Sequence, residues 1–359
     1  MLRQLNDWYK HHFADPNLSV LFLLLISAFA LFYFFGGILI PLFVALVLSY
    51  LLDWPVNYLM RFKINRTFST LIVMVIFLTL AIFAFLGILP TVFRQGASFI
   101  RDLPLMFNQV QEYILTLPAQ YPELIDSVTF TLIVQNLRTY VLDTGGFLLS
   151  HSLASLLDIA ALLVYAILVP LMMMFILKDK NILMANFVKF LPENRKLANQ
   201  VWVEMNVQIM NYIRGKVIEI LIVGICSYFV FFLMELRYSA LLAVLVGLSV
   251  LIPYIGAAAV TVPIAIVAFF QWGSSPEFMY LMIAYAIIQA IDGNVIVPIL
   301  FSEAVNLHPV VIIVSVLIFG GLWGFWGVFF AIPLATLVKA VLNAWPSKKI
   351  NVEREEDEA

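Results

Sequence analysis

The 359 residues are 63% apolar and only 12% charged, with a formal net charge of −2 at neutral pH. Soluble domains run at about 45–50% apolar and about 25% charged, so a fold that faces water on all sides is excluded. The near-zero charge removes any global basic field for nucleic acid, and the single cysteine, Cys226, removes intrachain disulfides and cysteine-held metal clusters.

A bilayer core about 30 Å thick needs roughly 20 apolar residues of helix, which makes charge-free runs the unit of reading. In the N-terminal section, 1–93, such runs fall at 18–35, 38–59 and 68–93. The first lacks a small-residue cleavage motif and is expected to be retained as a span. Gly36-Gly37-Ile38-Leu39-Ile40-Pro41 breaks it from the second.

Residues 94–150 follow, where Phe93, Ala97, Ile100, Leu103, Phe107, Val110, Ile114 and Leu117 recur at spacings of three and four. That period predicts an amphipathic helical insertion, punctuated by Pro104, Pro118 and Pro122. The C-terminal membrane domain, 151–346, carries runs at 152–177, 217–236, 240–270, 278–300 and 309–342, with an amphipathic helix over 181–213. An acidic tail, 347–359, closes the chain. The expected fold is all-α: a polytopic membrane helix bundle of about eight hydrophobic segments, two of them broken or re-entrant, plus a small periplasmic helical insertion.

Lys and Arg orient it, because short cytoplasmic loops keep positive charge. With the N-terminus inside, only Arg94, Arg101, Arg138 and Arg237 of the 20 Lys and Arg residues lie in outer segments. Both termini are therefore expected in the cytoplasm, with 94–150 on the periplasmic side.

Segments 240–270 and 309–342 are each long and interrupted, the first by Pro253, Gly256 and Pro263, the second by Gly320, Gly321, Gly324, Gly327 and Pro333. A break frees backbone amides and carbonyls that only protein or a wetted cavity can satisfy, and transporters place binding sites there. A kink made only for packing is the simpler reading of any one break. Both segments crossing the bilayer, or both forming re-entrant hairpins on opposite faces, returns the C-terminus to the same side; crossing is the favoured expectation. Labelling at Ser274 and Ser302 separates the two.

Polar residues inside apolar runs mark function candidates, since an ionisable group at mid-bilayer costs about 2.5–3.5 kcal/mol on insertion scales. Gln289 and Asp292 share a helix face, and Asn294 is expected beyond a break at Gly293. Asp292 is the candidate for a proton or cation relay, against the plainer reading of a polar cluster bonding neighbouring helices. Arg214, Lys216 and Glu219 open a span; Lys216 and Glu219 have the i,i+3 spacing of an interfacial ion pair with snorkelling cations. Asp53 likewise reads as interfacial.

Catalytic patterns are missing: Gly215-Lys216 runs into Val217 and is no phosphate loop, and His11, His12, His151 and His308 form no metal-binding spacing. Neither an enzyme nor a cofactor is expected.

Pro41-Leu42-Phe43-Val44-Ala45, Asn211-Tyr212-Ile213-Arg214-Gly215-Lys216, Ile252-Pro253-Tyr254-Ile255-Gly256, Asp292-Gly293-Asn294-Val295-Ile296-Val297-Pro298 and Leu307-His308-Pro309-Val310-Val311 through Gly327 stand in order along the chain. Together they resemble the AI-2E (autoinducer-2 exporter) family of bacterial permeases. The resemblance implies a multi-pass inner-membrane protein, a pathway built from 211–219, 252–263 and 287–327, and a homo-oligomer. It implies export of the furanone signal in some members and sodium or proton antiport in others.

The expectation is a secondary transporter or facilitator for a small polar solute or monovalent cation, embedded in the lipid bilayer. Its pathway candidates are Arg214, Glu219, Pro253, Tyr254, Gly256, Gln289, Asp292, Asn294, Pro298, Gly321 and Gly324. A scaffold that binds partner proteins through 94–150 and 181–213, without transport, is the competing reading.

Overall fold

A computed structural model describes residues 34–120, 156–189, 196–253, 255–301 and 307–344, with positions 27 and 30. The expected first span, 18–35, the second half of the insertion and the acidic tail lie essentially outside these residues. All regular structure among the described residues is helical: α1 (Ile40–Met60), α2 (Arg66–Gln120), α3 (Leu156–Lys178), α4 (Lys180–Val188), α5 (Lys196–Leu233), α6 (Ser239–Ser249), α7 (Ile255–Trp272), α8 (Pro276–Ile291), a π-turn (Asp292–Ile296), α9 (Val297–Phe301), α10 (Pro309–Phe329) and α11 (Ala331–Ala344). Six helices are long and apolar enough to cross a membrane, or seven if α3 and α4 form one broken span. This is a multi-pass membrane protein.

Two expected boundaries are absent. The helix of the third span does not end at Phe93, because α2 runs unbroken through Pro104. Proline removes one helical hydrogen bond, and the apolar anchors on either side of it, Leu103 and Met106, are buried and hold the helix in line. Nor do a surface helix 181–213 and a span 217–236 exist as separate elements: α4 ends at Val188, and α5 passes through Arg214-Gly215-Lys216 without interruption. The charges there do not end a helix at an interface; Lys216 and Glu219 turn inward and satisfy each other.

The chain gathers into two compact units, one of Pro41–Lys178 and Ile213–Ser302, the other of Met1–Ile40, Asp179–Tyr212 and Glu303–Ala359. In the first, α1, α2 and α3 pack through Ala45, Leu52, Val56, Val73, Met74, Met173 and Leu177. Arg66 fastens this end of the group, donating to the Leu177 carbonyl at 2.7 Å and to Asp53 Oδ1 at 3.2 Å. A larger core joins α2, α5, α6, α7 and α8 around Met106, Val223, Phe231, Leu242, Val246, Ile264, Val267, Leu281 and Tyr285.

Within that core α6 and α7 form a helical hairpin. Gln271, near the end of α7, accepts from the Arg237 amide at 2.8 Å and donates to the Glu235 carbonyl at 2.8 Å, so the two outer ends meet. At the tip, the Cα of Gly256 sits against the Ser249 backbone so closely that any Cβ would collide with the Ser249 carbonyl oxygen. At about 1.5 Å per residue the 11 residues of α6 reach only about 16 Å, half the hydrocarbon core. In place of one kinked helix over 240–270, prolines and glycine here reverse the chain between two helices.

The other unit holds a comparable reversal. Gly324 adopts φ 58°, ψ −133°, inside α10, and beyond it a Cβ on Gly327 would strike the Phe319 carbonyl oxygen. Tyr212 of α5 donates to the Phe329 carbonyl at 2.9 Å in the same unit, and Met205 packs with Ala340. Pro309 to Trp323 is therefore one arm and Phe325 onward the return, again a fold-back in place of one kinked helix.

Candidate functional site

Small residues set the geometry. Gly224 of α5 and Gly247 of α6 meet backbone to backbone, a Cβ on Gly247 falling 3.0 Å from the Ile220 carbonyl oxygen and 3.2 Å from the Gly224 Cα. Such small-residue contacts let membrane helices approach closely. Two turns back along α5, the same antiparallel register brings Lys216 to the end of α6, where the helix leaves its last carbonyls without intrahelical partners.

Lys216 Nζ donates to the Val250 carbonyl at 2.8 Å and lies 2.9 Å from Glu219 Oε2. It also sits 5.1 Å from the centre of the Phe301 ring, a cation–π distance. The ring gains that place because position 215 is glycine: a Cβ there would come within 2.6 Å of Phe301 Cε1. Lys216 is 5% exposed and Glu219 2%, which overturns the expectation of a snorkelling interfacial cation.

Asp292 completes the group. It is 8% exposed, feels the charges of Lys216 and Glu219, and its Oδ1 has no hydrogen-bond partner among the described residues. It opens the π-turn, so no break follows Gly293. An extra residue in the turn aims a side chain that a regular helix would aim elsewhere, and such bulges recur at functional sites. Asn294, expected beyond a break, instead donates to the Ala290 carbonyl at 2.8 Å and is exposed.

The structure thus brings together Glu219, Asp292 and the break carrying Pro253 and Gly256. Gln289 lies one turn before Asp292, half-buried, with its Nε2 unpartnered among the described residues. Arg214 is half-buried within electrostatic reach of Asp53. Pro298 is exposed on α9. Tyr254 lies outside the described residues. Gly321 and Gly324 belong to the other unit, at its own reversal, each with open space where a Cβ would stand. Lys216, Val250 and Phe301 were missed as site residues. The i,i+3 pair inside an otherwise charge-free run was the available signal for Lys216; nothing local marks a carbonyl or a phenylalanine.

With both carboxylates ionised and Lys216 protonated, the three groups carry one net negative charge. A buried uncompensated charge is strongly unfavourable, so one proton or one monovalent cation neutralises the set. No group of three or more metal-ligating side chains occurs among the described residues.

Comparison with known proteins gives one consistent answer. The profile described as AI-2E family transporter matches residues 21–347. The chain is 51% identical over 350 residues to the Escherichia coli protein named "Putative permease PerM", covering 98% of this chain and 99% of that one. It is 25% identical over 312 residues to "Putative transport protein YueF" of Bacillus subtilis, covering 86% and 84%. A Thermotoga maritima protein named "Putative transport protein" is 24% identical over 318 residues, covering 88% and 91%.

Proposed function

Since this chain belongs to the AI-2E transporter family, we propose that it works as a secondary transporter or facilitator in a bacterial inner membrane, moving a small polar solute or ion by coupling to a cation gradient. The observation that carries the reading is the buried Lys216–Glu219–Asp292 group set against the broken backbone at Val250. Loading one positive charge on Asp292 neutralises the group, and a neutral group can change its surroundings in low dielectric where a charged one cannot.

In the proposed topology both termini face the cytoplasm and the α6–α7 hairpin enters from the periplasmic side. Its tip then lies inside the bilayer, where half-helix ends and freed carbonyls meet the transported species. Homo-oligomer formation, implied by family resemblance, belongs to this proposal.

Purified protein in sealed vesicles, screened for flux of candidate solutes and cations under imposed pH and sodium gradients, tests the reading. Asp292→Asn is expected to abolish gradient-driven flux while the protein still melts cooperatively. Flux unchanged by that substitution at every pH removes Asp292 from the mechanism. Absent flux, with partner capture lost on deleting 94–150, gives the case to a scaffold.

A further inference from the structure

The surroundings of Lys216 Nζ are those of a metal-cation site with an ammonium in it. A carboxylate oxygen at 2.9 Å, a carbonyl at the C-terminal end of a helix at 2.8 Å and an aromatic face at 5.1 Å each attract any monovalent cation. The arrangement is built from more than one element: Glu219 and Lys216 on α5, Val250 at the end of α6, Phe301 on α9, with Gly215 and the Gly224–Gly247 contact making room. Asp292, at the π-turn of the α8–α9 segment, faces the same group and offers one carboxylate oxygen without a partner among the described residues.

Filling such a site from within the chain changes what an outside ion meets. A sodium ion sheds water only where several oxygens replace it, and here Lys216 already holds Glu219 and the Val250 carbonyl. Without Lys216 the same place would offer the Glu219 carboxylate and the Val250 carbonyl around a vacant centre, with the nearby Asp292 carboxylate adding a second negative charge.

We propose that Lys216 is a tethered counter-ion that occupies a latent sodium site, so that the native protein is indifferent to sodium. This rests on the transport reading for its physiological meaning, while the site itself is a statement about binding. The specificity-determining residue is Lys216, and the latent ligands are Glu219 and the Val250 carbonyl, with Asp292 as the neighbouring negative charge.

The test compares full-length wild type with Lys216→Ala and Lys216→Gln in nanodiscs, following sodium binding by radioactive sodium and by thermal melts in sodium against choline. Wild type is expected to show no saturable sodium binding and equal melting in the two salts. Both variants are expected to bind sodium saturably, with a Kd at least about tenfold below the highest sodium concentration at which wild type shows no saturation, and to melt higher in sodium; adding Glu219→Gln to either should abolish the gain. A variant that folds only in sodium supports the inference in the same way.

Saturable sodium binding by wild type overturns it, as does a folded variant indifferent to sodium. If both variants fail to fold in either salt, the latent site does not exist and the inference falls. Flux distinguishes this from the transport reading: wild-type vesicles without flux under any gradient sink that reading, while the binding comparison stands or falls separately.

Discussion

Glu219 and Lys216 each answer for the other's burial. Removing one partner of a buried pair leaves an uncompensated charge and typically costs about 3–5 kcal/mol, whereas replacing both with apolar groups of similar size is often neutral. Glu219→Gln is therefore expected to lower the melting temperature sharply, and Glu219→Gln with Lys216→Met to recover most of that loss while remaining inactive in flux. A thermodynamic cycle of the two single variants and the double variant measures the coupling. At the hairpin tip, Gly256→Ala places a methyl group on the Ser249 carbonyl oxygen; overpacking of this kind costs about 1–3 kcal/mol. Because the neighbour is backbone rather than a flexible side chain, that variant is expected to melt lower in detergent and to lose flux. Asp292, Glu219, Pro253 and Gly256 were visible in the sequence since a charge or a helix breaker in an apolar run is conspicuous by itself. Val250 and Phe301 were not, for their roles depend on which elements the fold brings beside Lys216, and no spacing along the chain encodes that.

Among the elements, the long helices follow from apolar runs, but their ends do not follow from charges and prolines alone. Pro104 sits inside α2 and Arg214-Gly215-Lys216 inside α5, because tertiary anchors on either side outweigh a missing hydrogen bond or a polar stretch. The two fold-backs show the opposite case, where glycine decides the path. Gly324 holds φ 58° with ψ −133°, a conformation L side chains rarely adopt; strained backbone of this sort costs of order 1–3 kcal/mol. Gly324→Ala should therefore melt lower although open space surrounds the position, whereas Gly321→Ala, helical and equally open, should melt as wild type does. A second contact fixes how α6 begins: the Tyr238 hydroxyl donates to Asp102 Oδ2 at 2.6 Å. Burial first, and that hydrogen bond next, push this phenol up to about 12 from its ordinary 10. A raised folded value means the contribution is present below pH 10 and lost only as pH rises through the folded value. The stability difference between wild type and Tyr238→Phe should accordingly stay constant from neutral pH to about pH 9 in chemical denaturation.

For the whole molecule, membrane insertion and the helical class were legible from composition, and family membership from ordered motifs. The sense of the two interrupted segments was not, since Lys and Arg are too few near 271–277 and 301–308 to orient them. A cysteine at position 274, in a chain whose exposed Cys226 is replaced by serine, resolves the proposed topology. Labelling by a membrane-impermeant reagent from the periplasmic side is expected; labelling only from the cytoplasm would mean that 240–270 crosses after all.

Gln271 stitches the mouth of the α6–α7 hairpin through two backbone bonds, while its far end is held by the Lys216 ammonium on Val250, the Gly224–Gly247 contact and the Tyr285 hydroxyl on the Ala257 carbonyl. The two ends are therefore fastened by different means: the entrance by hydrogen bonds to one side chain, the apex by close packing and one buried cation. Shortening the lysine removes one fastening of the apex, so the amides of 250–252 should exchange with deuterium faster in that variant than in wild type.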